Sequence, residues 1–229
     1  RALVRAKVAA IRLSQAGLRP DERARAVGAY QGYVELAERY TCERATPLMI
    51  THGVSGSGKS TVAQMLVETY GAVRVRSDVE RKRLAGLPPM ARSDSGIDAG
   101  LYTADLSRRT YARLGELAHV VIGAGLPVIV DATFLKRAQR EAMRTLAASL
   151  DVPFVILDTA APQDVLRVRV RVRRDLGHDV SEATAAVLER QLATREPLAA
   201  EEQQRSVHID TEPVPAAELV HKLLVDHLR

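Results

Sequence analysis

The chain has 229 residues, a formal net charge of +5 and a pI of about 9.6, and 46% of its residues are hydrophobic. This composition is typical of a globular protein with one core and an appendage. The single cysteine, Cys42, cannot form an internal disulfide, and no apolar run is long enough for a membrane span. We therefore expect a cytoplasmic protein that does not span a membrane. Aromatic residues make up only 3% of the chain, which leaves little material for stacking on nucleic-acid bases.

The first 45 residues predict a helical segment that is separate from the domain at 46–229. Two helices are expected, at 3–15 and 21–40, with Leu3, Ala6, Ala10 and Leu13 as the buried stripe of the first. The chain begins with Arg1 rather than methionine. We interpret this segment as the end of an upstream domain, or as the linker that follows one.

Strands and helices alternate from Pro47 onward. The predicted strands are 48–51, 72–76, 127–131, 153–157 and 207–209. The predicted helices are 61–68, a turn at 79–84, 101–123, 136–150, 165–174, 181–195 and 216–228. This alternation predicts an α/β fold in which helices cover both faces of a parallel sheet.

Arginine and valine alternate along residues 167–173, and this pattern is compatible with either a strand or a helix. We favour a helix, because Pro162 and Asp164 are start signals and Gly177 is a stop signal. In a helix, Val165, Val168 and Val172 share one face, and Arg167, Arg171 and Arg174 share another.

Residues 53–60 read Gly-Val-Ser-Gly-Ser-Gly-Lys-Ser and fit the phosphate-binding motif G-x-x-x-x-G-K-[ST] between a strand and a helix. The motif predicts that ATP is bound, with Lys59 at the β- and γ-phosphates and Ser60 on Mg²⁺. The predicted nucleotide-binding residues of the loop are Gly53, Ser55, Gly56, Ser57, Gly58, Lys59, Ser60 and Thr61.

Two aspartates follow predicted strands, at the sheet edge where open α/β folds bind ligands. Asp131 has the position of a carboxylate that helps Ser60 to hold Mg²⁺, although it could instead cap the next helix. Asp78 could accept a proton from a substrate hydroxyl, or it could cap the turn at 79–84. Arg81, one turn later, is either an acceptor-binding residue or a surface charge.

The arginines of 167–174 are candidates for stabilising the charge of a phosphoryl group during its transfer. They lie in a segment, 162–190, that we expect to form a mobile helical lid. The alternative is an ordinary solvated basic face.

Residues 52–61, 76–81, 130–134, the arginine segment and 191–197 together resemble the small P-loop kinases that include polynucleotide kinase, zeta toxin and gluconate kinase. The resemblance covers about 47–211. It implies a P-loop three-layer sandwich with a five-stranded parallel sheet in the order 2-3-1-4-5 and a helical lid.

The resemblance also assigns roles to residues. It makes Asp78 the general base, with Lys59, Arg167 and Arg171 as catalytic cations and Arg174 as a further one. It places Glu196 and Pro197 near the adenine. It is closest to the ATP-binding half of two-domain proteins whose other half resembles aminoglycoside phosphotransferases, which implies such a domain upstream.

The predicted function is an ATP- and Mg²⁺-dependent kinase that acts on a hydroxyl of a small molecule. The predicted acceptor-binding residues are Asp78, Arg81, Tyr102 and Arg109. A polynucleotide 5′-hydroxyl kinase and a non-catalytic regulatory module remain as alternatives. A GTPase with the N-K-x-D motif is excluded, because the chain contains no asparagine.

Overall fold

A computed structural model describes residues 1–41, 45–88, 91, 103–176 and 183–229. The described elements are α1 (Ala2–Leu13), α2 (Pro20–Thr41), β1 (Leu48–His52), α3 (Lys59–Tyr70), β2 (Val73–Arg76), α4 (Ser77–Leu84), α5 (Ala104–Gly123), β3 (Val128–Asp131), α6 (Arg137–Ser149), β4 (Phe154–Ala160), α7 (Gln163–Leu176), α8 (Ala185–Thr194), α9 (Ala200–Gln203), β5 (Ser206–Asp210) and α10 (Ala217–His227). No helix among these residues is both long and apolar enough to cross a bilayer.

The chain divides into two compact units, Arg1–Arg44 and Ala45–Arg229. In the first unit α1 packs against α2. The buried side of α1 carries Ala6 and Ala9, whereas Leu3 and Ala10 of the predicted stripe are exposed. The predicted stripe was therefore right at Ala6, which is buried, and at Leu13, which is half-buried, and wrong at Leu3 and Ala10. The buried residues of α2 include Ala26 and Ala37.

The second unit is built on a five-stranded sheet with the order β2-β3-β1-β4-β5, and every neighbouring pair is parallel. Both the sheet order and the α/β class are as the resemblance implies. Successive side chains along each strand point to opposite faces of the sheet, and both faces are buried, as is usual for a parallel sheet. On one face Ile50 and Val130 pack with Leu114 of α5 and Met143 of α6. The opposite face has a second core, formed with α3 and α10.

The helix predicted for the arginine segment is confirmed, and its buried face is not the one that Val165, Val168 and Val172 share. Leu166 and Val170, four residues apart, are buried, while Val168 and Val172 are exposed. The buried pair packs with Val54, Leu135 and Leu188 in a small third core. Because 3.6 residues make a turn, Arg169 and Arg173 flank this buried stripe on one side, and Arg167 and Arg171 flank it on the other.

A buried arginine on α6 fixes the turn after β3 and the segment after α8. Arg140 is 1% exposed, and its guanidinium donates to both carboxylate oxygens of Glu202 at 2.6 and 2.8 Å. It also donates to the carbonyls of Phe134, Glu196 and Pro197 at 3.1 to 3.3 Å. Phe134 adopts a positive φ of 46°. The hydrogen bond from Arg140 to its carbonyl therefore stabilises the turn that follows Asp131.

We expect Arg140→Met to lower the free energy of unfolding by about 3–5 kcal/mol, the range found when one partner of a buried ion pair is removed. The variant would leave Glu202 buried without its partner and three carbonyls without their donor. The matched control is Arg144→Met on the same helix, whose ion pair with Glu141 is exposed and therefore contributes little to the free energy of unfolding. Urea unfolding of both variants measures the difference, and equal losses would contradict the assigned role of Arg140.

Candidate active site

The loop between β1 and α3 lies so close to the ends of β4 and β5 that two of its glycines have no room for a side chain. Gly53 has φ 137°, and a Cβ there would lie 2.6 Å from the carbonyl oxygen of Thr159. Gly58 has φ 87°, and its Cβ would lie 2.7 Å from a methyl carbon of Thr211. These backbone conformations are open to glycine but strained for other residues. Glycine is therefore required at these two positions of the motif, because Thr159 and Thr211 leave no space for a Cβ.

The loop has side-chain contacts that stabilise its shape. Ser57 is 1% exposed, and its hydroxyl hydrogen-bonds to that of Thr159 at 2.8 Å. Thr211 donates its hydroxyl to the carbonyl of Ser57 at 3.1 Å. The side chain of Ser57 thus serves the loop's structure, and its backbone N–H donates to the carbonyl of Val54 at 3.2 Å.

Lys59, the first residue of α3, lies over the loop and donates to the carbonyl of Val54 at 2.6 Å. Burial lowers the pKa of Lys59 from 10.5 to about 8; nearby Asp131 opposes this shift and Arg173 adds to it. A buried ammonium beside a guanidinium is a site with excess positive charge. It is suited to an anion such as a nucleotide phosphate.

The Ser60 hydroxyl donates to Oδ2 of Asp131 at 2.9 Å, so the two predicted metal ligands lie together. A hydroxyl and a carboxylate are the hard oxygen donors that Mg²⁺ prefers, and Mg²⁺ usually takes few protein ligands in addition to phosphate oxygens. The described residues contain no cluster of three His, Cys, Asp or Glu that could hold a metal alone. This donor set therefore fits a metal that arrives with a nucleotide.

Asp131 pairs with an arginine, Arg74, that is not among the site residues predicted from the sequence. Arg74 on β2 donates through Nε to Oδ2 of Asp131 at 3.1 Å, and its Nη2 contacts the same oxygen. Arg76 Nε lies 3.9 Å from that oxygen. The sequence does contain an indication of this ion pair, because Arg74 and Arg76 are charged residues within β2, the strand that pairs with β3.

Asp78 lies in the first turn of α4 rather than in a cap position. The N-cap of α4 is Arg76, so neither Asp78 nor Ser77 caps the helix. Arg81 donates to Asp78 Oδ1 at 3.2 Å, three residues along the same helix. Asp78 and Arg81 border a cavity of about 430 Å³, which Lys59, Asp131 and Arg173 also border.

Tyr111 of α5 also borders this cavity, but its ring and hydroxyl are both engaged by the protein. The ring packs edge-on against Phe134, with centroids 5.2 Å apart. The hydroxyl accepts from the backbone N–H of Phe134 at 3.4 Å and bonds to the Thr133 hydroxyl at 3.3 Å. Burial raises the pKa of Tyr111. It therefore shapes the cavity wall as a neutral phenol.

Of the other two predicted acceptor-binding residues, the structure describes only Arg109, which does not border this cavity. Arg109 is exposed on α5, two residues from Ser107 and Tyr111, which border the cavity from another side of the helix. Tyr102 lies outside the described residues.

The lid arginines divide between the two sides of α7. Arg167 is exposed and pairs with Glu189 of α8 at 2.7 Å, and Arg171 and Arg174 are also exposed. On the other side, Arg169 donates to the Thr211 carbonyl at 2.7 Å and to the Gly56 carbonyl at 3.4 Å. Arg173 borders the cavity that contains Lys59. The structure thus brings Arg169 and Arg173, not the three predicted arginines, to the phosphate loop.

A larger cavity of about 1020 Å³ lies between α7 and the segment after β5, next to the N-terminus of α3. Thr61, Val168, Arg169, Val214 and Pro215 border it. Its walls combine four arginines, Arg74, Arg76, Arg169 and Arg173, with apolar side chains.

Glu196 and Pro197 lie elsewhere. They border a third cavity, of about 580 Å³, together with His52, Asp158 and His208. Glu196 accepts from the Arg137 backbone N–H at 2.6 Å and pairs with Lys136 at 3.1 Å. The structure does not bring them to the larger cavity.

The comparisons with known proteins agree with this fold. An uncharacterized protein of Mycobacterium tuberculosis is 30% identical over 188 residues, which are 82% of this chain and 36% of that protein. The chain thus spans about a third of the length of that relative. The adenylyl-sulfate kinase of Shigella boydii is 30% identical over 141 residues, which are 58% of this chain and 66% of that enzyme. The predicted upstream phosphotransferase-like domain stays a prediction.

The crystal structure of a gluconokinase from Sinorhizobium meliloti has a TM-score of 0.55 and 26% identity, covering 81% of this chain and 93% of that chain. The family model described as AAA domain matches residues 48–198. Its match begins at β1 and extends beyond α8, so it contains the phosphate loop, both aspartates and the arginine helix. The chain therefore belongs to this AAA-domain family, and its sheet and phosphate loop are those of a P-loop kinase.

Proposed function

We propose that the protein transfers the γ-phosphate of ATP to a hydroxyl of a small-molecule acceptor. The observation that carries the proposal is the convergence of Lys59, Asp78, Asp131 and Arg173 on one cavity beside the phosphate loop. Binding a nucleotide requires the loop and its lysine. A carboxylate facing the same cavity from another helix is needed only if a proton must be removed.

We assign the nucleotide to the two cavities that meet at the loop. The phosphates belong beside Lys59 and Arg173, where the pKa of the lysine is lowered chiefly by burial and further by the guanidinium. The base belongs in the larger cavity, between Arg169 and the apolar residues Val214 and Pro215. Guanidinium groups stack well on aromatic rings, which supports this placement.

Ser60 and Asp131 are the residues that would hold Mg²⁺. When bound, the ion neutralises the charge that develops on the phosphate oxygens during transfer. Arg74 shares an oxygen of Asp131 with Ser60, so it orients the carboxylate and offsets its charge.

Asp78 is the proposed general base for the acceptor hydroxyl. Arg81 donates to its Oδ1 at 3.2 Å and holds the orientation of the carboxylate. The bordering residues of the cavity that the structure describes include one aromatic ring, Tyr111, which is engaged by Phe134 and Thr133. A stacking platform for an oligonucleotide is therefore lacking among them, which favours a small acceptor over a polynucleotide.

We expect Asp78→Asn to lower phosphoryl transfer by ~10²–10⁴-fold, the usual contribution of a positioned base, with little change in ATP affinity. The names of two relatives suggest gluconate and adenylyl sulfate as first acceptors for a radiolabelled transfer assay. Aminoglycosides and a 5′-hydroxyl oligonucleotide complete the screen. If ATP affinity falls in parallel with the transfer rate, Asp78 belongs to the metal site rather than to the acceptor site.

The two sides of α7 allow a matched test of the lid. We expect Arg173→Ala to lower kcat by ~10²–10³-fold, as when one donor to a developing negative charge is lost. Arg171→Ala, an exposed substitution of the same type two residues away, should change kcat by less than about twofold. Steady-state kinetics on both variants decides the assignment. The reverse outcome would support the role that the sequence predicts for Arg171.

Lys59 provides a pH test that needs no acceptor. Its pKa of about 8 in the folded chain lies below the ordinary 10.5, so the unfolded chain binds more protons between these pH values. The free energy of unfolding should therefore rise with pH through this window, because the cost of a charged buried lysine disappears. Below about pH 8 that cost is fully present.

We expect the wild type to gain stability relative to Lys59→Met between about pH 8 and pH 10.5, as measured by urea unfolding. The comparison removes the contributions of other groups that titrate in both proteins. Saturating Mg-ATP should shrink the gain, since bound phosphate favours the charged lysine. Parallel pH curves for the two proteins would show that Lys59 is not buried as described.

A further inference from the structure

One backbone donor of the phosphate loop is already bound by a side chain that lies far away in the sequence. The N–H of Ser55 donates to Oε1 of Gln191 at 2.7 Å. Ser55 is 6% exposed, so this donor is shielded from solvent. The contact joins α8 to the one segment whose N–H groups are arranged to meet phosphate oxygens.

The position of Gln191 is determined by the packing of α8 in the third core. Leu188, one turn earlier on α8, is 0% exposed and packs with Val54 of the loop. Leu166 and Val170 of α7 complete this cluster. Residues three apart lie on the same side of a helix, so the packing of Leu188 directs Gln191 toward the loop.

Gln191 also borders the cavity that contains Lys59, Asp78 and Arg173. A carboxamide has an acceptor end and a donor end. The oxygen is used by Ser55, and the NH₂ group, which carries two N–H donors, is the end that remains for a ligand in this cavity. Such a donor contacts phosphate without adding a further full charge beside Lys59 and Arg173.

We propose that Gln191 recognises the terminal phosphate of the nucleotide. Its oxygen orients the Ser55 N–H, and its amide NH₂ donates a hydrogen bond to an oxygen of the γ-phosphoryl group. The inference rests on the proposed function and adds a phosphate-contacting residue to it. It predicts that a substitution of Gln191 changes the affinity for ATP but not the affinity for ADP, because ADP lacks the γ-phosphoryl group that the amide contacts. Loss of this donor must weaken ATP binding and leave ADP binding nearly unchanged.

Gln191→Glu is the most informative variant, because it has nearly the same shape and keeps an oxygen that can accept from Ser55. It replaces the donor end with a negative charge facing the γ-phosphate. We expect the Kd of a non-hydrolysable ATP analogue with Mg²⁺ to rise by ~10–100-fold, the cost of an unfavourable buried polar contact. The Kd of Mg-ADP should change by less than about twofold. Isothermal titration calorimetry measures both.

The control variant is Gln203→Glu, which makes the same charge change at an exposed side chain that donates to the Leu198 carbonyl. It should leave both dissociation constants as in the wild type. A second variant, Gln191→Met, removes both ends of the carboxamide without adding charge. It should lower the preference for the ATP analogue over ADP by ~3–10-fold, about the worth of one hydrogen bond, and it serves if the glutamate variant does not fold.

The outcomes separate this inference from the proposed function. If wild-type protein binds neither nucleotide, the proposed function itself fails. If it binds both, and a folded Gln191→Glu variant keeps the wild-type ratio of the two constants, the inference is overturned. An equal loss of both nucleotides also overturns it, because Gln191 would then only hold the loop in shape.

Discussion

The close packing of the phosphate loop against the ends of β4 and β5 is the constraint on which the rest of the site depends. Gly53 and Gly58 leave room for Thr159 and Thr211 to approach within distances that a Cβ would block. The hydroxyls of these threonines then bind Ser57. The loop is therefore shaped by strands that follow it by about a hundred residues or more. A short motif folds here into an anion site because the sheet order places β4 beside β1.

The charges around the phosphate loop are set by burial and by pairing between neighbouring side chains. Asp131, the buried carboxylate nearest the loop, is committed to Ser60 and Arg74. Asp78 is committed to Arg81. Burial is the chief cause of the lowered pKa of Lys59; Asp131 and Asp78 oppose the shift, and Arg173 adds to it. An anion bound beside Lys59 favours the charged lysine, so nucleotide binding and protonation of Lys59 are coupled.

The sequence predicted the elements whose signals are local and missed those set by distant contacts. Strand periodicity, glycine spacing and the loop motif identified the sheet and the pairing of Ser60 with Asp131. The alternating arginines and valines of α7 do not reveal which face is buried. That choice depends on Leu166 and Val170 meeting Val54 and Leu188, which are far away in the chain. The placement of Glu196 and Pro197 likewise depends on Arg140, a buried charge that resembles a surface arginine in the sequence.

The same third core limits how a lid over this site could move. Leu166 and Val170 of α7 are buried against the loop residue Val54, and Leu188 joins α8 to the same cluster. A swing of all of α7 away from the loop would expose these side chains at about 1.5–3 kcal/mol each. Arg173 lies nearly a turn beyond Val170. Arg173 already borders the cavity that contains Lys59, so the described part of α7 holds Arg169 and Arg173 at the loop without a swing of the whole helix.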